Sequence, residues 1–273
     1  MLGLGNTLLG GAALDEFGPL SISDIMGWYD ATDTTTVFSD AGSTLLTSNG
    51  AIQQWNDKSG NSYHLKQSTS AQRPAWNTDG YIDFDGAGDS LRIGRSGTTA
   101  ETRGYPTDSC ACTFIAVVAA DDWDGSDNTE VTTGTDDYIW GNDADGNKSY
   151  LQLLTKNSWK IKAFDHAAGS GASTPTVAHS LNFLVADGKL IMSMRIESDG
   201  TLHFGKDGTE SGTTGSVTTD HVQYLGAIGT PGTLGATSSF NGKVYEWIVY
   251  NKDIGTADLA LLISYLKSKH SIS

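Results

Sequence analysis

The sequence predicts an all-β chain: a two-sheet antiparallel β-sandwich of the jelly-roll type, with an extended N-terminal arm and one C-terminal helix. Short apolar runs alternate with clusters of Gly, Asn, Asp and Ser, which is typical of many short strands joined by turns. Of the 32 acidic residues only 6 are Glu, and Asp favours turns where Glu favours helices. Glycine agrees, since 33 of the 273 residues are Gly, well above average usage.

Composition separates an arm from the domain that follows it. Residues 1–20 are a mildly apolar stretch interrupted by glycines, without the basic start of a signal peptide. We predict that this arm anchors the chain in an assembly. Residues 21–273 contain no linker-like stretch and no repeat, so we predict a single jelly-roll domain there. The expected anchoring side chains are Met1, Leu2, Leu4, Leu8 and Leu9.

About ten strands are predicted from apolar runs that end at turn residues. Thr113–Ala120 is continuously apolar, as expected for a central strand that is covered on both faces. Trp159–Phe164 instead alternates apolar residues with lysines, which predicts one buried and one exposed face. The other predicted strands are Ala51–Trp55, Tyr81–Phe84, Leu91–Ile93, Ser149–Leu154, Leu190–Glu197, Thr201–Phe204, Val222–Ile228 and Lys243–Tyr250.

One helix is predicted at the end of the chain. Thr256 is a suitable N-cap, and Asp258 lies in the first turn, where the helix dipole favours an acid. Basic residues from Lys267 onward suit the other end. The apolar stripe that we expect to pack on the sandwich consists of Leu259, Leu262, Ile263 and Leu266.

The charge balance excludes several classes of partner. The formal net charge is −15, a field that repels nucleic-acid phosphates and anionic lipid headgroups. No segment is long and apolar enough to cross a bilayer. Cys110 and Cys112 would point to the same face of a strand, where a disulfide between them would be strained. We predict that both are small buried side chains, and they do not indicate a redox compartment.

Calcium is the one cofactor that the sequence suggests, because Ca²⁺ takes about six to eight oxygen ligands from loop carboxylates and carbonyls. Residues 121–137 hold seven acids and no base, and a second acidic turn follows at 143–147. Neither stretch fits the spacing of an EF-hand loop. The alternative is that both are solvated acidic turns. The candidate ligands are Asp121, Asp127, Asp143, Asp145 and Asn147.

A carbohydrate site would need an aromatic face beside polar hydrogen-bonding groups. Trp123, inside the acidic loop, is the candidate platform, with Asp122 and Asp124 on either side and Tyr138 and Trp140 further along the chain. The alternative is that Trp123 folds over the end of the sandwich. The tryptophans that lie in strand-like contexts are predicted to be core: Trp28, Trp55, Trp76, Trp159 and Trp247.

The stretch WNDKSGN at 55–61 resembles the end of a phosphate-binding loop only in its Lys-Ser pair. No glycines precede Lys58 and no helical pattern follows, so backbone N–H groups are not arranged to surround a phosphate. We interpret the stretch as a turn. Asp57 stands at its first position, where its side chain accepts neighbouring N–H groups, and Gly60 stands at its fourth.

No catalytic set is evident in the sequence. Sandwich glycoside hydrolases carry a Glu-x-Asp-x-x-Glu strand, and the six glutamates here are too far apart for that pattern. A Gly-x-Ser-x-Gly elbow between a strand and a helix is also missing. The six histidines have no metal-binding spacing. We therefore predict that the protein is not an enzyme.

Several motifs together resemble a known family of domains. They are WYDATD at 28–33, WNDKSGN at 55–61, Arg73-Pro74, FDGAGDSL at 84–91 and FNGKVYEWIVYNKDI at 240–254. In this order they resemble the laminin-G-like, concanavalin A-like jelly rolls found in phage virion proteins and in bacterial surface proteins. The middle of the chain matches only as generic β structure. The resemblance implies a structural role for Asp83 and Asp85, which belong to its FDG-type motif.

The resemblance and the arm predict a structural protein of a phage particle, a decoration or fibre component of the capsid or tail. The expected partners are other virion proteins, bound through the arm, and glycans of the host surface, bound at the loops. We also expect several copies of the chain in a symmetric assembly, located in the virion. The alternative is a carbohydrate-binding module or adhesin outside a bacterial cell.

Overall fold

The protein is described by a computed structural model, which covers residues 17–93, 105–106, 111–121, 137–144, 147–155, 158–162, 181, 187–211, 224–229 and 240–273. These residues form two antiparallel sheets, sheet A and sheet B, that share a core, and a helix packs on the outer face of sheet A. The predicted β-sandwich with one C-terminal helix is confirmed. The predicted arm lies outside the described residues except for its last four.

The strands are short and numerous. In chain order they are β1 (Ile25–Asp30), β2 (Val37–Phe38), β3 (Gly50–Ala51), β4 (Gln54–Trp55), β5 (Leu65–Lys66), β6 (Ala75–Asn77), β7 (Tyr81–Asp85), β8 (Leu91–Ile93), β9 (Tyr105–Pro106), β10 (Cys112–Ala120), β11 (Asp137–Ala144), β12 (Asn147–Thr155), β13 (Ser158–Lys162), β14 (Leu190–Ile196), β15 (Leu202–Lys206), β16 (Thr209–Glu210), β17 (Tyr224–Leu225), β18 (Ala227–Ile228) and β19 (Asn241–Tyr250). The helix is α1 (Gly255–His270), and Pro19–Ser21 and Ser70–Gln72 are 3-10 turns.

Sheet A has the order β16-β15-β14-β10-β19-β7-β6-β3, and β1 also pairs with β19. Sheet B has the order β13-β12-β11-β18-β8-β5-β4-β2, while β9 and β17 form a separate pair. The predicted strand Ala51–Trp55 is wrong in one respect, because it is two strands in different sheets. Its first part pairs with β6 in sheet A and its last part with β5 in sheet B. The chain therefore crosses between the sheets at Ile52, which is fully buried.

Aromatic side chains fill the space between the sheets. Trp55, Trp76 and Trp247 are each at most 2% exposed, as predicted for core tryptophans. Phe114 meets the ring of Trp247 edge-on, with 4.7 Å between the ring centroids. Burying a side chain of this size contributes roughly 2–3 kcal/mol. Cys112, on the same strand as Phe114, is also buried, and Cys110 lies outside the described residues.

The predicted apolar stripe of α1 covers the outer face of sheet A. Leu262 and Leu266 are fully buried there against Ile115 and Val117 of β10. Because the even-numbered residues of β10 face the other sheet, this strand is covered on both faces, and its continuous apolar run is explained. No helix in the described ranges is long and apolar enough to cross a membrane.

The helix begins at Gly255, so its N-cap lies two residues before the predicted one. The N-cap position is Ile254, whereas Thr256 lies inside the first turn. The side chain of Asp253 accepts the N–H of Gly255 at 2.9 Å, which satisfies one of the N–H groups that are free at the start of a helix. At the other end Ser271 adopts a left-handed conformation that closes the helix.

Candidate functional site

The WNDKSGN motif forms a tight loop around one carboxylate. Asp57 Oδ1 accepts the N–H groups of Trp28 at 3.0 Å and Ser59 at 2.8 Å. Its Oδ2 accepts the N–H of Tyr63 at 3.1 Å and the hydroxyl of Ser59 at 2.7 Å. Gly60 has a φ of +93°, which favours glycine. The interpretation as a turn organised by Asp57 is confirmed.

Lys58, which follows Asp57 in the WNDKSGN motif, belongs to a network of buried charges on sheet A. Asp30 and Glu246 are direct partners in the pairing of β1 with β19, and they are 3% and 0% exposed. Two adjacent carboxylates repel each other unless cations lie between them. Lys269 supplies one from α1, with its Nζ 2.7 Å from an oxygen of each. Lys58 supplies a second, 3.0 Å from Asp30.

Two further residues of the network form hydrogen bonds with Glu246. The indole N–H of Trp28 donates to Glu246 Oε1 at 2.7 Å, and His270 Nε2 lies 2.7 Å from Oε2. Burial alone would raise the pKa of Asp30, but Lys269 and then Lys58 lower it, and the result is about 2. Each carboxylate is thus held by internal partners. The network fastens α1 to β1 and to the WNDKSGN loop, which is a structural task.

The FDG-type motif is also a turn. Asp89, only 7% exposed, accepts the N–H of Asp85 at 3.2 Å, and Asp85 in turn accepts the N–H of Ala87 at 2.8 Å. Burial raises the pKa of Asp89 to about 6. Asp83 lies in β7 next to Lys243, its partner in β19. These contacts agree with the structural role that the resemblance implies.

Most of the residues predicted from sequence to bind ligands lie outside the described residues. Asp121 is described, and it forms an ion pair with Lys243 at 3.0 Å on the exposed surface. Tyr138, Trp140 and Asp143 are placed as backbone positions of β11, and Asn147 begins β12. Those outside the described ranges are Trp123, Asp122, Asp124, Asp127, Asp145, Met1, Leu2, Leu4, Leu8 and Leu9. The predicted glycan platform and anchor therefore stay predictions.

The same holds for calcium. Among the residues that the structure describes, no group of three or more His, Cys, Asp or Glu side chains is arranged to hold a metal ion. The strands β11 and β12 pair up to Ala144 and Asn147, so the candidate turn at 143–147 connects a hairpin. The calcium site is not tested by these contacts.

A different surface, which we call the basic patch, lies on the outer face of sheet B and at its margin. It consists of Lys66, Arg73 and Arg92. Leu65 and Leu91 point into the core, so by strand alternation Lys66 and Arg92 point outward. These two are direct partners in the pairing of β5 with β8, which places their Cβ atoms about 5 Å apart. Lys66 is exposed to solvent.

Arg92 is the unusual member of the basic patch. Its Nε and Nη2 atoms are buried, and neither has a hydrogen-bond partner. Its cross-strand neighbours are Lys66 and Ala227, and neither side chain can accept a hydrogen bond. Burial lowers the pKa of Arg92. Burying two nitrogens without hydrogen-bond partners costs free energy, so these two atoms of Arg92 do not stabilise the fold.

Arg195 shows what a structural arginine looks like in this protein. It is 2% exposed, and its Nε and Nη2 atoms lie 2.7 and 3.0 Å from the two carboxylate oxygens of Glu210. Its Nη1 atom donates a hydrogen bond to Asp253 Oδ1. Arg73, by contrast, donates to the carbonyl groups of Gln67 and Ser68, each at 2.9 Å, and has no carboxylate partner among the described residues. The described lysines with carboxylate partners are Lys58, Lys206, Lys243, Lys252 and Lys269.

A second unsatisfied group stands in the same row of sheet B. Gln54 is the cross-strand partner of Lys66 on the side away from Arg92. Its Nε2 donates to Asn56 at 2.7 Å, but its buried Oε1 has no partner. Sequence reasoning missed this row, because three polar residues from separate strands become neighbours only through the pairing. The alternation Leu-Arg-Ile in β8 was the one local indication of an outward-facing arginine.

No protein-family model matches the sequence, and no curated protein matches it. Solved structures do. The sialidase of Trypanosoma rangeli in complex with sialic acid aligns with 90% of this chain at 15% identity and a TM-score of 0.54, and the chain spans 33% of that protein. Domain 4 of AbnA, an extracellular GH43 arabinanase of Geobacillus stearothermophilus, in complex with arabinotriose, aligns over 89% of this chain and 99% of its own, at 10% identity and a TM-score of 0.48. The binding domain of Paraclostridial Mosquitocidal Protein 1 aligns over 86% of this chain and 52% of its own, at 12% identity and a TM-score of 0.48.

These comparisons correct one prediction. The chain was predicted not to be an enzyme, and the first structures that it resembles are sialidases, so its fold is of a kind that occurs in glycosidase chains. The missing Glu-x-Asp-x-x-Glu strand characterises one type of sandwich hydrolase and does not separate this fold from glycosidases in general. None of the three proteins named above is a phage protein. At such low identity the likeness shows the fold alone, a β-sandwich of the predicted jelly-roll type.

Proposed function

We propose that this chain is a carbohydrate-binding β-sandwich domain whose ligand lies on the outer face of sheet B, at the basic patch. The observation that carries the proposal is the row Gln54, Lys66 and Arg92. In this row the buried Oε1 of Gln54 and two buried nitrogens of Arg92, all without hydrogen-bond partners, flank an exposed lysine. Sugar hydroxyl groups donate and accept hydrogen bonds, so a glycan complements a row of this kind. The outer face of sheet A is less suitable for binding a glycan, because α1 covers it.

The argument depends on where free polar groups remain. Binding sites present polar groups that are aimed at the ligand and are not already paired within the protein. The carboxylate of Glu246 is hydrogen-bonded to side chains of the protein itself. Two nitrogens of Arg92, in contrast, have no hydrogen-bond partner. A ligand that supplied oxygens to Arg92 would relieve the cost of desolvating it.

The test is a glycan array run with the full chain, with and without calcium. The wild type should bind a subset of glycans, and Arg92→Met should weaken that binding. Lys252→Met is the matched control, since it removes the same charge from a partly exposed side chain that is paired with Asp24. Trp123→Ala addresses the predicted loop platform. If Trp123→Ala abolishes binding and Arg92→Met does not, the site lies at the loops and the sheet B proposal fails.

We further propose that this domain is carried on a phage particle, with residues 1–20 as the anchor. The support is the ordered set of motifs that resembles virion jelly rolls, of which WNDKSGN and the FDG-type turn have the structural roles described above. Mass spectrometry of purified particles should find the chain in many copies per virion. Its recovery instead from the surface of a bacterium would favour the alternative, an extracellular binding module or adhesin.

A further inference from the structure

We infer that the ligand of the basic patch is an acidic glycan, whose carboxylate or sulfate groups pair with Arg92 and Lys66. This inference rests on the proposed carbohydrate-binding function and names the class of substrate. It starts from a contrast in charge. The whole chain has 17 basic and 32 acidic residues, so any cation has many potential partners. The three cations of the basic patch nevertheless have no carboxylate partner among the described residues.

The arrangement of these cations suits an anion. Lys66 and Arg92 lie side by side on one face, although like charges in direct register repel each other. A shared anion removes that repulsion. The Nε and Nη2 atoms of Arg92 are buried and lack hydrogen-bond partners, and the guanidinium edge that they form can bind two oxygens of a carboxylate or sulfate at once when the side chain turns toward solvent. Arg195 uses the same two nitrogens for Glu210 within this protein.

Among the described residues, the cross-strand neighbours of Arg92 cannot take the place of that anion. The neighbour of Arg92 in β18 is Ala227, which has only a methyl group, and the neighbour in β5 is a second cation. Arg73 adds a third positive charge close to the end of β5, where its guanidinium lies against the carbonyl of Gln67. The three described cations therefore make this part of the surface positive on a molecule that is negative overall, which favours the binding of an anion here.

The experiment measures binding of three polymers to the full chain by isothermal titration calorimetry. Polygalacturonate carries carboxylates, dextran sulfate carries sulfates, and dextran is neutral. We expect the wild type to bind a charged polymer at least tenfold more tightly than dextran. Arg92→Met should weaken that binding about ten- to a hundredfold, since a charge-assisted pair is lost. Lys66→Met should weaken it by a smaller factor, and Lys252→Met should leave it unchanged.

A stability measurement separates this role from a structural one. If Arg92 serves a ligand, Arg92→Met removes two buried nitrogens that lack partners, and urea unfolding without ligand should be unchanged or shifted to higher urea. If Arg92 instead stabilises the fold, the same variant should unfold at lower urea. That result, together with unchanged binding, would overturn the inference.

The polymer arms distinguish the remaining outcomes. Preference for polygalacturonate or for dextran sulfate tells a carboxylate ligand from a sulfate ligand, and either supports the inference. Wild-type binding to neutral glycans without preference for acidic ones would overturn the inference while leaving the proposed function intact. Failure to bind any glycan, charged or neutral, would contradict both.

Discussion

Lys269 is the residue on which the buried charges of sheet A depend most. Among the described lysines and arginines, it is the one that contacts both Asp30 and Glu246, each at 2.7 Å. We expect Lys269→Met to lower the free energy of unfolding by about 3 kcal/mol, because it leaves two adjacent buried carboxylates with fewer cations. Urea unfolding followed by tryptophan fluorescence measures this. The control Lys252→Met removes an exposed pair and should cost less than about 1 kcal/mol, and an equal loss in both variants would contradict the argument.

The buried carboxyl group of Asp89 should make the stability of the protein depend on pH. Burial raises its pKa to about 6, so between about pH 4 and 6 the folded state holds this proton more tightly than the unfolded chain does. The contribution of this bound proton to the free energy of unfolding is complete below about pH 4 and is lost as the pH rises through 6. We expect Asp89→Asn to stabilise the protein by about 2 kcal/mol at pH 7.5 and by little at pH 4.

Urea unfolding of the wild type and Asp89→Asn at the two pH values measures that difference. Asp79→Asn is the control, since Asp79 is exposed in a nearby turn. Equal stabilities of the wild type and Asp89→Asn at pH 7.5 would mean that the environment of Asp89 does not penalise its charge.

At the scale of elements, α1 and β10 could be predicted from sequence because their burial follows local periodicity. The helix stripe repeats every three to four residues, and the run in β10 has no polar interruption after Thr113. The split of Ala51–Trp55 could not be predicted, because a turn of the chain between sheets leaves the apolar pattern unchanged. Contacts between distant parts of the chain could not be predicted either. Trp28 and Glu246, for example, are 218 positions apart and share a hydrogen bond.

The packing of α1 can be tested with two adjacent leucines. Leu262 is fully buried against sheet A, whereas Leu261 is 52% exposed. We expect Leu262→Ala to lower the free energy of unfolding by about 3 kcal/mol, through lost burial and the cavity that it leaves. Leu261→Ala should cost less than about 0.5 kcal/mol. Both changes have the same chemistry and the same helix propensity, so similar losses would mean that α1 is not docked in this register.

At the scale of the whole molecule, the fold and the candidate site differ in how far they follow from sequence. Alternating and continuous apolar runs assign residues to the inside or outside of a sheet, and the resemblance added the order of the motifs. The basic patch depends on which strands become neighbours. Lys66 and Arg92 are unremarkable in the sequence, and only the pairing of β5 with β8 brings them together. A site made by pairing cannot be found by scanning for motifs.

The two cores of the molecule meet in β10, and this makes the last prediction. Phe114 and Ala116 contribute to the core between the sheets, while Ile115 and Val117 contribute to the core under α1. Neither core can be lost without exposing the other face of the same strand. We therefore expect one cooperative unfolding transition, with coincident midpoints by tryptophan fluorescence and far-UV circular dichroism. Leu262→Ala should move both midpoints together. A first transition seen only by circular dichroism would mean that α1 leaves while the sandwich stays folded, and the coupling through β10 would be refuted.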